Sequence, residues 1–420
     1  MRFIINGGRR LGGEIKIEGC KNAATPIIAA TILSRGTCVL ENIPRIGDVF
    51  TMLEILEGCG SKQKWTGDHT IEIKNDDFNP ELLNQHLVRK IRSSILLVGP
   101  ILARFGKIKL SVPGGCHLGG RPLDAHLESF KSIGAEVDFD ESVGIYNISL
   151  NKPENKKIIL KEFSVTATEN LLMLASKYPL EIKLAACEPH VEDLGNFLKK
   201  MGMRIEGLGT HHITINKSSV DFDGEARYQI INDPIEAGTF AILAAATKSR
   251  ILIKGVNADF LDAPLQKLKE FGAVFKIEGG DLFVDGSASV LKSAKVQTLP
   301  YPGLPTDLQA PFGVLATQAQ GSSLIFDILY EGRLKYINEL KKMGADAVIL
   351  DAHRAIINGP TVLGGAEIES LDLRAGATLV IAALAAKGQS IIGNIEQIDR
   401  GYEKLDERLK KLGALIEREN

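Results

Sequence analysis

The sequence is poor in cysteine, and its few cysteines form no recognisable pairs. Five occur in 420 residues, an odd number, and none are spaced as Cys-x-x-Cys. This pattern argues against a disulfide framework and against a structural zinc site, and it favours a reducing compartment. We therefore expect a cytoplasmic protein that needs no metal.

Net charge and long apolar runs are also lacking. The 50 basic and 52 acidic residues leave a net charge of −2, so no strongly basic surface is predicted for nucleic acid. The most apolar run, 377–386, is about half of the ~20 residues that span a bilayer. The start, MRFIINGGRRLGG, has no apolar core of a signal peptide. We expect neither nucleic-acid binding nor membrane insertion.

The sequence does contain an internal repeat. Six segments read as the end of an amphipathic helix, a glycine suited to a left-handed C-cap and a short alternating strand. Examples are LESFKSIGAEVDF, LKEFGAVFKIEG and LKKLGALIERE. The six glycines are Gly60, Gly134, Gly202, Gly272, Gly344 and Gly413, spaced by 74, 68, 70, 72 and 69 residues. So steady a period indicates six copies of one structural unit.

A second kind of helix lies between these markers, also six times. The segments are KNAATPIIAATIL, IRSSILLVGPILA, TATENLLMLAS, PIEAGTFAILAAA, TDLQAPFGVLATQA and LRAGATLVIAALAA. They are apolar on nearly every side and rich in alanine, which predicts burial, whereas the Lys/Glu-striped helices face water. The strands between them alternate with polar residues, which argues against one large doubly wound sheet.

Length and repeat number together predict two α/β domains of three units each. A chain of 420 residues is too long for one ordinary core. We place the first domain at 1–20 plus 230–420 and the second at 21–229, so that the first strand belongs with the C-terminal half.

Polar residues mark the starts of the buried helices. They are Lys21, Asn22, Arg92, the segment 164–168, Asp233, Glu236, Asp307 and Arg374. Charge at the start of a buried helix is expected where that start opens to a cleft, and helix N-termini suit anions. The sequence therefore predicts a charged cleft between the domains for a phosphorylated or carboxylated small molecule. For Asp233 and Glu236, a capping or hinge role is the alternative to catalysis.

One loop carries a thiol that packing does not explain. The segment SVPGGCHLGGRPLDAH, 111–126, places Cys116 among four glycines, two histidines and Arg121. Such neighbours can change the protonation state of a thiol. His126 is expected to orient the loop through a hydrogen bond. The remaining cysteines, Cys20, Cys38, Cys59 and Cys187, are expected to be spacer or packing residues.

Seven motifs in order resemble the enolpyruvyl transferases, and among them the enzymes whose acceptor is UDP-N-acetylglucosamine. They are KNAATP, VRKIRSSI, PGGCHLGGRPLD, LPTDLQAPF, YEGRLKY, DLRAGATLV and IDRGYEKLDERLKKLGA, and the resemblance runs from residue 1 to about 417. It implies two inside-out α/β barrels, each with buried central helices. It also implies that phosphoenolpyruvate gives its enolpyruvyl group to the sugar nucleotide, without a cofactor, in the first committed step of peptidoglycan synthesis. Inhibition by fosfomycin is a further implication.

The resemblance also implies roles for particular residues. Cys116 would be the general acid toward the methylene carbon of phosphoenolpyruvate and Asp307 the base at the sugar hydroxyl, while Lys21 and Arg400 would act on the phosphate. The implied substrate-binding residues are Lys21, Asn22, Arg92, Arg121, Pro122, Leu123, Asp124, Ala125, Glu162, Phe163, Ser164, Val165, Asp307, Leu329, Arg333, Arg374 and Arg400.

Two alternatives stay open, and a third is disfavoured. Ala125, Glu162 and Thr166 differ from the residues usual in the family, so another nucleotide sugar is a possible acceptor. A non-catalytic nucleotide-sugar-binding protein is the second alternative, although binding alone needs neither an acid nor a base. EPSP synthase itself lacks the cysteine loop, so the GGCHLGGRP segment argues against that activity.

Overall fold

The structure is a computed structural model that describes residues 1–114, 123–153, 156–216 and 224–419. These residues divide into two compact units. The first unit is formed by 1–18 and 232–419, and the second by the described part of 19–231. In the described ranges, no helix has both the length and the apolarity to cross a bilayer.

The strands are short, and most have five residues or fewer. In chain order they are β1 Arg2–Asn6, β2 Gly12–Lys16, β3 Thr37–Glu41, β4 Lys62–Gly67, β5 Thr70–Lys74, β6 Lys107–Ser111, β7 Glu136–Asp140, β8 Ile145–Ser149, β9 Lys157–Ile159, β10 Leu180–Lys183, β11 Arg204–Glu206, β12 His212–Asn216, β13 Ala226–Gln229, β14 Arg250–Lys254, β15 Val274–Glu278, β16 Asp281–Asp285, β17 Val296–Gln297, β18 Gly321–Phe326, β19 Asp346–Ile349, β20 Arg354–Gly359, β21 Glu367–Glu369, β22 Gln389–Gly393 and β23 Leu415–Glu419.

The helices fall into two alternating kinds, buried and partly exposed. The α-helices are α1 Lys21–Ala30, α2 Gly47–Gly58, α3 Gln85–Val88, α4 Val98–Phe105, α5 Asp124–Ser132, α6 Val165–Leu174, α7 Pro189–Lys200, α8 Pro234–Ala246, α9 Asp262–Glu270, α10 Gln309–Gln318, α11 Tyr336–Lys342, α12 Leu373–Ala385, α13 Glu396–Asp399 and α14 Leu405–Lys411. Short 3₁₀ segments lie at Thr31–Leu33, Pro80–Leu82, Arg92–Leu97, Ala258–Leu261, Thr306–Leu308 and Arg333–Lys335.

The described residues of each unit form three separate sheets. In the unit with the chain ends, the strand orders are β21-β22-β1-β23, β15-β16-β14-β2 and β17-β18-β20-β19. In the other unit they are β11-β12-β10-β9, β13-β3-β5-β4 and β6-β8-β7. Every four-stranded sheet combines one parallel pair at its edge with two antiparallel pairs. One pattern of helix, strand, helix and two antiparallel strands thus occurs six times, with the sixth copy completed by the pairing of β23 with β1, and the predicted six-fold α/β repeat is confirmed.

The alanine-rich helices form the centre of each unit, as predicted. In the first unit, α8, α10 and α12 pack against one another, and from their first turns onward nearly all of their residues are buried. In the second unit, α1 and α6 pack with α4 and the 3₁₀ turn before it. Helices without a polar side can remain in water only at high cost, so they occupy the interior and the sheets surround them. This arrangement confirms the predicted inside-out barrels.

The six repeated glycines all adopt the left-handed conformation, with φ between +82° and +98°. At Gly272, an added Cβ would lie 2.3 Å from the carbonyl oxygen of Val290, whereas at Gly413 it would meet nothing within 4 Å. Both glycines end helices of the same unit. The two positions therefore share the conformational strain but differ in steric space.

We expect Gly272→Ala to be clearly more destabilising than Gly413→Ala. The left-handed conformation costs an alanine about 1–2 kcal/mol at either position. Gly272→Ala adds a clash with backbone, which costs a further ~1–3 kcal/mol. Urea titration of both variants measures the two losses, and equal losses would contradict the steric argument.

Within the described ranges, the chain passes between the two units at two places. On the first passage Cys20 N–H donates to the carbonyl of Ile231 at 2.8 Å, and on the second Asp233 N–H donates to the carbonyl of Glu18 at 2.9 Å. β1 pairs with β22 and β23, which places the start of the chain in the middle of a C-terminal sheet.

Candidate active site

In the first unit, three predicted site residues meet at one carboxylate. Asp307 lies in the 3₁₀ turn that leads into α10. Its Oδ1 accepts a hydrogen bond from Nη2 of Arg333 at 2.7 Å, and its Oδ2 accepts one from Nε of Arg374 at 3.0 Å. Burial is the largest single influence and lowers the pKa of each guanidinium, but the neighbouring charges, of which that of Asp307 is the strongest, together raise the pKa of both arginines. The result is a negatively charged group held by two buried cations.

The Arg374 side chain is fixed by its own helix and by a tyrosine. Asp372 caps α12 by accepting hydrogen bonds from the backbone N–H of Arg374 at 2.8 Å and of Ala375 at 2.9 Å. Nη1 of Arg374 donates to the hydroxyl of Tyr402 at 3.3 Å, and that hydroxyl lies 3.0 Å from the hydroxyl of Thr239. Because all of these groups are buried, Arg374 has little freedom to leave Asp307.

Asp327 is a residue of this site that the sequence analysis missed. Its carboxylate is fully buried and accepts hydrogen bonds from the hydroxyl of Thr306 and from the backbone N–H of Leu329. It therefore links the turn that carries Asp307 to the turn that carries Leu329. An aspartate directly after a β-strand is typical of such a turn, and this signal in FDILYEGR was available in the sequence.

The polar residues at the start of α8 have structural contacts. Asp233 caps the helix by accepting hydrogen bonds from the backbone N–H of Ile235 and Glu236. Glu236 forms a buried ion pair with Arg408 and accepts a hydrogen bond from the backbone N–H of Glu18 at 3.0 Å. These contacts favour the capping and hinge alternative for both acidic residues. At α13, Nη1 of Arg400 donates to Oε1 of Gln397 at 3.1 Å.

In the second unit, Lys21 begins α1 and its ammonium group is paired. Nζ of Lys21 lies 3.0 Å from Oδ2 of Asp48, a buried carboxylate in the first turn of α2. Asn22 follows Lys21 in the same first turn. Asp48 is a second residue that the sequence analysis missed, since its distance from Lys21 in the chain gives no signal of the contact.

The segment before α6 presents an exposed aromatic ring. Ser164 caps α6, with its hydroxyl accepting from the backbone N–H of Ala167 at 3.4 Å. The neighbouring Phe163 is 44% exposed, and its ring centroid lies 4.7 Å from that of His211. Glu162 is exposed. Phe163, Ser164 and Val165 thus form one short surface at the start of the helix.

The predicted loop is described only in part. Cys116, Arg121 and Pro122 lie outside the described residues. Leu123 and Ala125 are buried, and Asp124 is exposed at the start of α5. The four described cysteines are buried free thiols. Burial raises the pKa of Cys38 and Cys59 to about 12, which keeps both in the thiol form and is consistent with a packing role.

His126 joins α5 to α6. Its side chain is 3% exposed, and Nε2 lies 2.8 Å from the hydroxyl oxygen of Thr166. Burial, and then the positive charge of Arg92, lower the pKa of His126 to about 3. The imidazole is therefore neutral at physiological pH, and Arg92 is close enough to act on it electrostatically.

We expect His126 to make the protein less stable in acid. Since the pKa is 6.5 in the unfolded chain and about 3 in the folded protein, the stabilising contribution is complete above pH 6.5 and is lost as pH falls toward 3. Lowering the pH from 7.5 to 5 should remove about 2 kcal/mol. Urea unfolding at both pH values should show this loss in the wild type and not in His126→Gln. An equal loss in both proteins would contradict the assignment.

Comparison with known proteins identifies relatives along the whole chain. The sequence profile of the family EPSP synthase (3-phosphoshikimate 1-carboxyvinyltransferase) matches residues 5–409. A protein of Carboxydothermus hydrogenoformans named UDP-N-acetylglucosamine 1-carboxyvinyltransferase 1 is 44% identical over 100% of this chain and 98% of its own length. A UDP-N-acetylglucosamine 1-carboxyvinyltransferase of Coxiella burnetii is 41% identical over 99% of this chain and 96% of its own length.

Solved structures share the fold. The enolpyruvyl transferase NikO from Streptomyces tendae superimposes with a TM-score of 0.90 at 23% identity and covers 99% of this chain, with 98% of its own chain matched. EPSP synthase from Acinetobacter baumannii gives a TM-score of 0.72 at 18% identity over the full length of both chains. Together with the profile match and the full-length relatives, these similarities show that the chain belongs to the EPSP synthase family of carboxyvinyltransferases.

Proposed function

We propose that the protein transfers the enolpyruvyl group of phosphoenolpyruvate to the 3-hydroxyl of UDP-N-acetylglucosamine and releases phosphate. The observation that carries this proposal is the identity of 39–44%, over 99–100% of this chain, to relatives named for that acceptor. In this role the enzyme would catalyse the first committed step of peptidoglycan synthesis. The four buried free thiols support a cytoplasmic location, where such thiols stay reduced.

The proposed chemistry needs an acid and a base. The Cys116 thiol gives a proton to the methylene carbon of phosphoenolpyruvate, which makes the adjacent carbon C2 electrophilic. Asp307 takes the proton of the sugar hydroxyl while the hydroxyl oxygen forms a bond to C2. The bond from C2 to the phosphate oxygen then breaks and phosphate leaves, while the Cys116 thiolate takes a proton back from the new methyl group. This restores the double bond in the enolpyruvyl group that the sugar now carries. The contacts of Asp307 with two guanidinium groups support this role, because they favour the charged form that can accept a proton.

The remaining roles concern substrate binding. Lys21, Arg121 and Arg400 are proposed for the phosphate of phosphoenolpyruvate, with Arg92 and Arg374 as further cations for its anionic groups. The proposed residues around the sugar are Asn22, Asp307 and Leu329. The nucleotide wall is assigned to residues 121–125 and 162–165, in which Phe163 offers an exposed ring. Arg333 is proposed to act through its ion pair with Asp307.

Phosphate release from the purified protein tests the proposal. We expect release only when phosphoenolpyruvate and UDP-N-acetylglucosamine are both present, and mass spectrometry should show the enolpyruvyl group on the nucleotide sugar. Matched reactions with UDP-N-acetylgalactosamine, UDP-glucose and shikimate 3-phosphate test other acceptors. Faster turnover of another acceptor would replace the proposed substrate. Tight binding of UDP-N-acetylglucosamine without any turnover would identify a binding protein instead.

A further inference from the structure

Two contacts join the two segments of the nucleotide wall, and they differ in burial. The segment 123–125 enters α5, and the segment 162–165 leads into α6. His126 of α5 is hydrogen-bonded to Thr166 of α6 at 2.8 Å in the protein interior. Glu128 of α5 forms an ion pair with Lys161, but both side chains are exposed. An exposed ion pair is screened by water and salt, so the buried hydrogen bond is the firmer link.

The rest of α6 is held independently of His126. The hydroxyl of Thr168 donates to the carbonyl of Ser164 at 2.8 Å. The amide of Asn170 donates to the carbonyl of Ile95 at 3.1 Å, and its oxygen accepts from the backbone N–H of Gly99 at 2.7 Å. Loss of the His126 contact would therefore leave the helix in place and loosen its first turn against α5.

The two ring nitrogens of His126 differ in their contacts. Among the described residues, Nδ1 of this buried ring has no hydrogen-bond partner. A buried polar atom without a partner destabilises the folded state. Among the described residues, Nε2 is thus the ring nitrogen that has a hydrogen-bond partner, and that partner is Thr166.

We infer that His126 is a positioning residue for the acceptor substrate, acting through Thr166 to hold residues 162–165 against residues 123–125. This inference rests on the proposed function. With the two segments fixed, the nucleotide meets a preformed surface and does not have to order it on binding. Without the link, binding of the acceptor must also order the first turn of α6. The defect should therefore appear in the KM for the nucleotide sugar and spare the chemical step.

Steady-state kinetics of paired variants test the inference. His126→Leu and Thr166→Val should each raise the KM for UDP-N-acetylglucosamine by about tenfold, with kcat and the KM for phosphoenolpyruvate within about twofold. His126→Gln and Thr166→Ser keep a polar group at the contact and should restore most of the affinity. The double variant should be no worse than the more affected single variant, because both changes remove the same bond.

Two control variants separate positioning from general stability. Glu128→Gln breaks the exposed ion pair between the same segments and should leave every kinetic constant within about twofold. Thr31→Val removes a buried hydroxyl that accepts from Asn75 at 3.0 Å in the same unit. It should lower the melting temperature without raising the KM.

Several outcomes would overturn the inference. They are a fall in kcat without a change in the KM for UDP-N-acetylglucosamine, an equal rise in the KM of both substrates, and a Thr166→Ser variant as defective as Thr166→Val. If His126→Leu does not fold, the Thr166 pair decides alone. A wild-type protein that is inactive toward this acceptor would instead refute the proposed function, so the two failures are distinguishable.

Discussion

Asp307→Asn should lower kcat by about 10²–10⁴-fold, the range that a positioned base contributes, while the affinity for UDP-N-acetylglucosamine stays within about tenfold. An amide keeps the shape of the side chain and can still accept one hydrogen bond from Arg333 or Arg374. It cannot take the proton of the attacking hydroxyl. Phosphate-release kinetics give kcat, and calorimetric titration with the nucleotide gives the affinity.

The same change also removes the counter-charge of two buried arginines, so a stability control is needed. Breaking a buried ion pair by removing one partner costs about 3–5 kcal/mol. Glu236→Gln breaks the comparable buried pair with Arg408 in the same unit and leaves both ion pairs of Asp307 intact. It should lower the melting temperature yet keep kcat within a few-fold of the wild type. Near wild-type turnover of Asp307→Asn would show that Asp307 is not the base.

The second large effect concerns Cys116, which lies outside the described residues. Cys116→Ser should lose most of the activity, because a hydroxyl is too weak an acid near neutral pH. Cys116→Asp should keep part of it, shifted to lower pH, because a carboxyl with a raised pKa can also give a proton. Phosphate release measured from pH 5 to 9 on the three proteins tests both expectations.

Fosfomycin, an epoxide with a phosphonate, distinguishes the role of the thiol as a proton donor from its role as a nucleophile. Opening the epoxide needs a nucleophile, and a thiolate is a far better one than a carboxylate. The wild type should therefore be inactivated with an adduct on Cys116, while Cys116→Asp stays active in the presence of the drug. An adduct on Cys20, or full sensitivity of Cys116→Asp, would overturn the assignment. Cys20 is buried and serves as the internal comparison.

The fold was predictable because its signals are local and repeated. A glycine that ends a helix in the left-handed conformation, as at Gly272 or Gly344, leaves a mark within a few residues of sequence. Helices as uniformly apolar as α8 and α12 are stable mainly in the protein interior, so their burial could be predicted. With six copies of each signal, the period of the chain indicated the number of structural units.

The partners of the site residues were not predictable in the same way. The sequence pointed to Asp307, Arg333 and Arg374 separately, but that both arginines contact one carboxylate follows from tertiary packing. Asp48 was missed because its partner Lys21 comes from another segment of the chain. Asp327 was missed although the turn signal after its strand was present, and only its contact with Thr306 follows from packing. The acid-base roles and the substrate-binding set remain predictions until the variants above are measured.

The pairing of the first two strands has a consequence for folding during synthesis. β2 can pair only after β14 has been synthesised, and β1 only after β22 and β23, the last two strands of the chain. All strands of the second unit have been synthesised once β13 is complete, so that unit can fold while its neighbour is still unfinished. At 5–20 residues per second, the ~190 residues from there to β23 take roughly 10–40 s. Within that interval β14 becomes available to β2 after about 25 residues, whereas β1 stays without its final partners until β22 and β23 have been made. A chaperone that binds extended apolar segments therefore has its longest opportunity at β1.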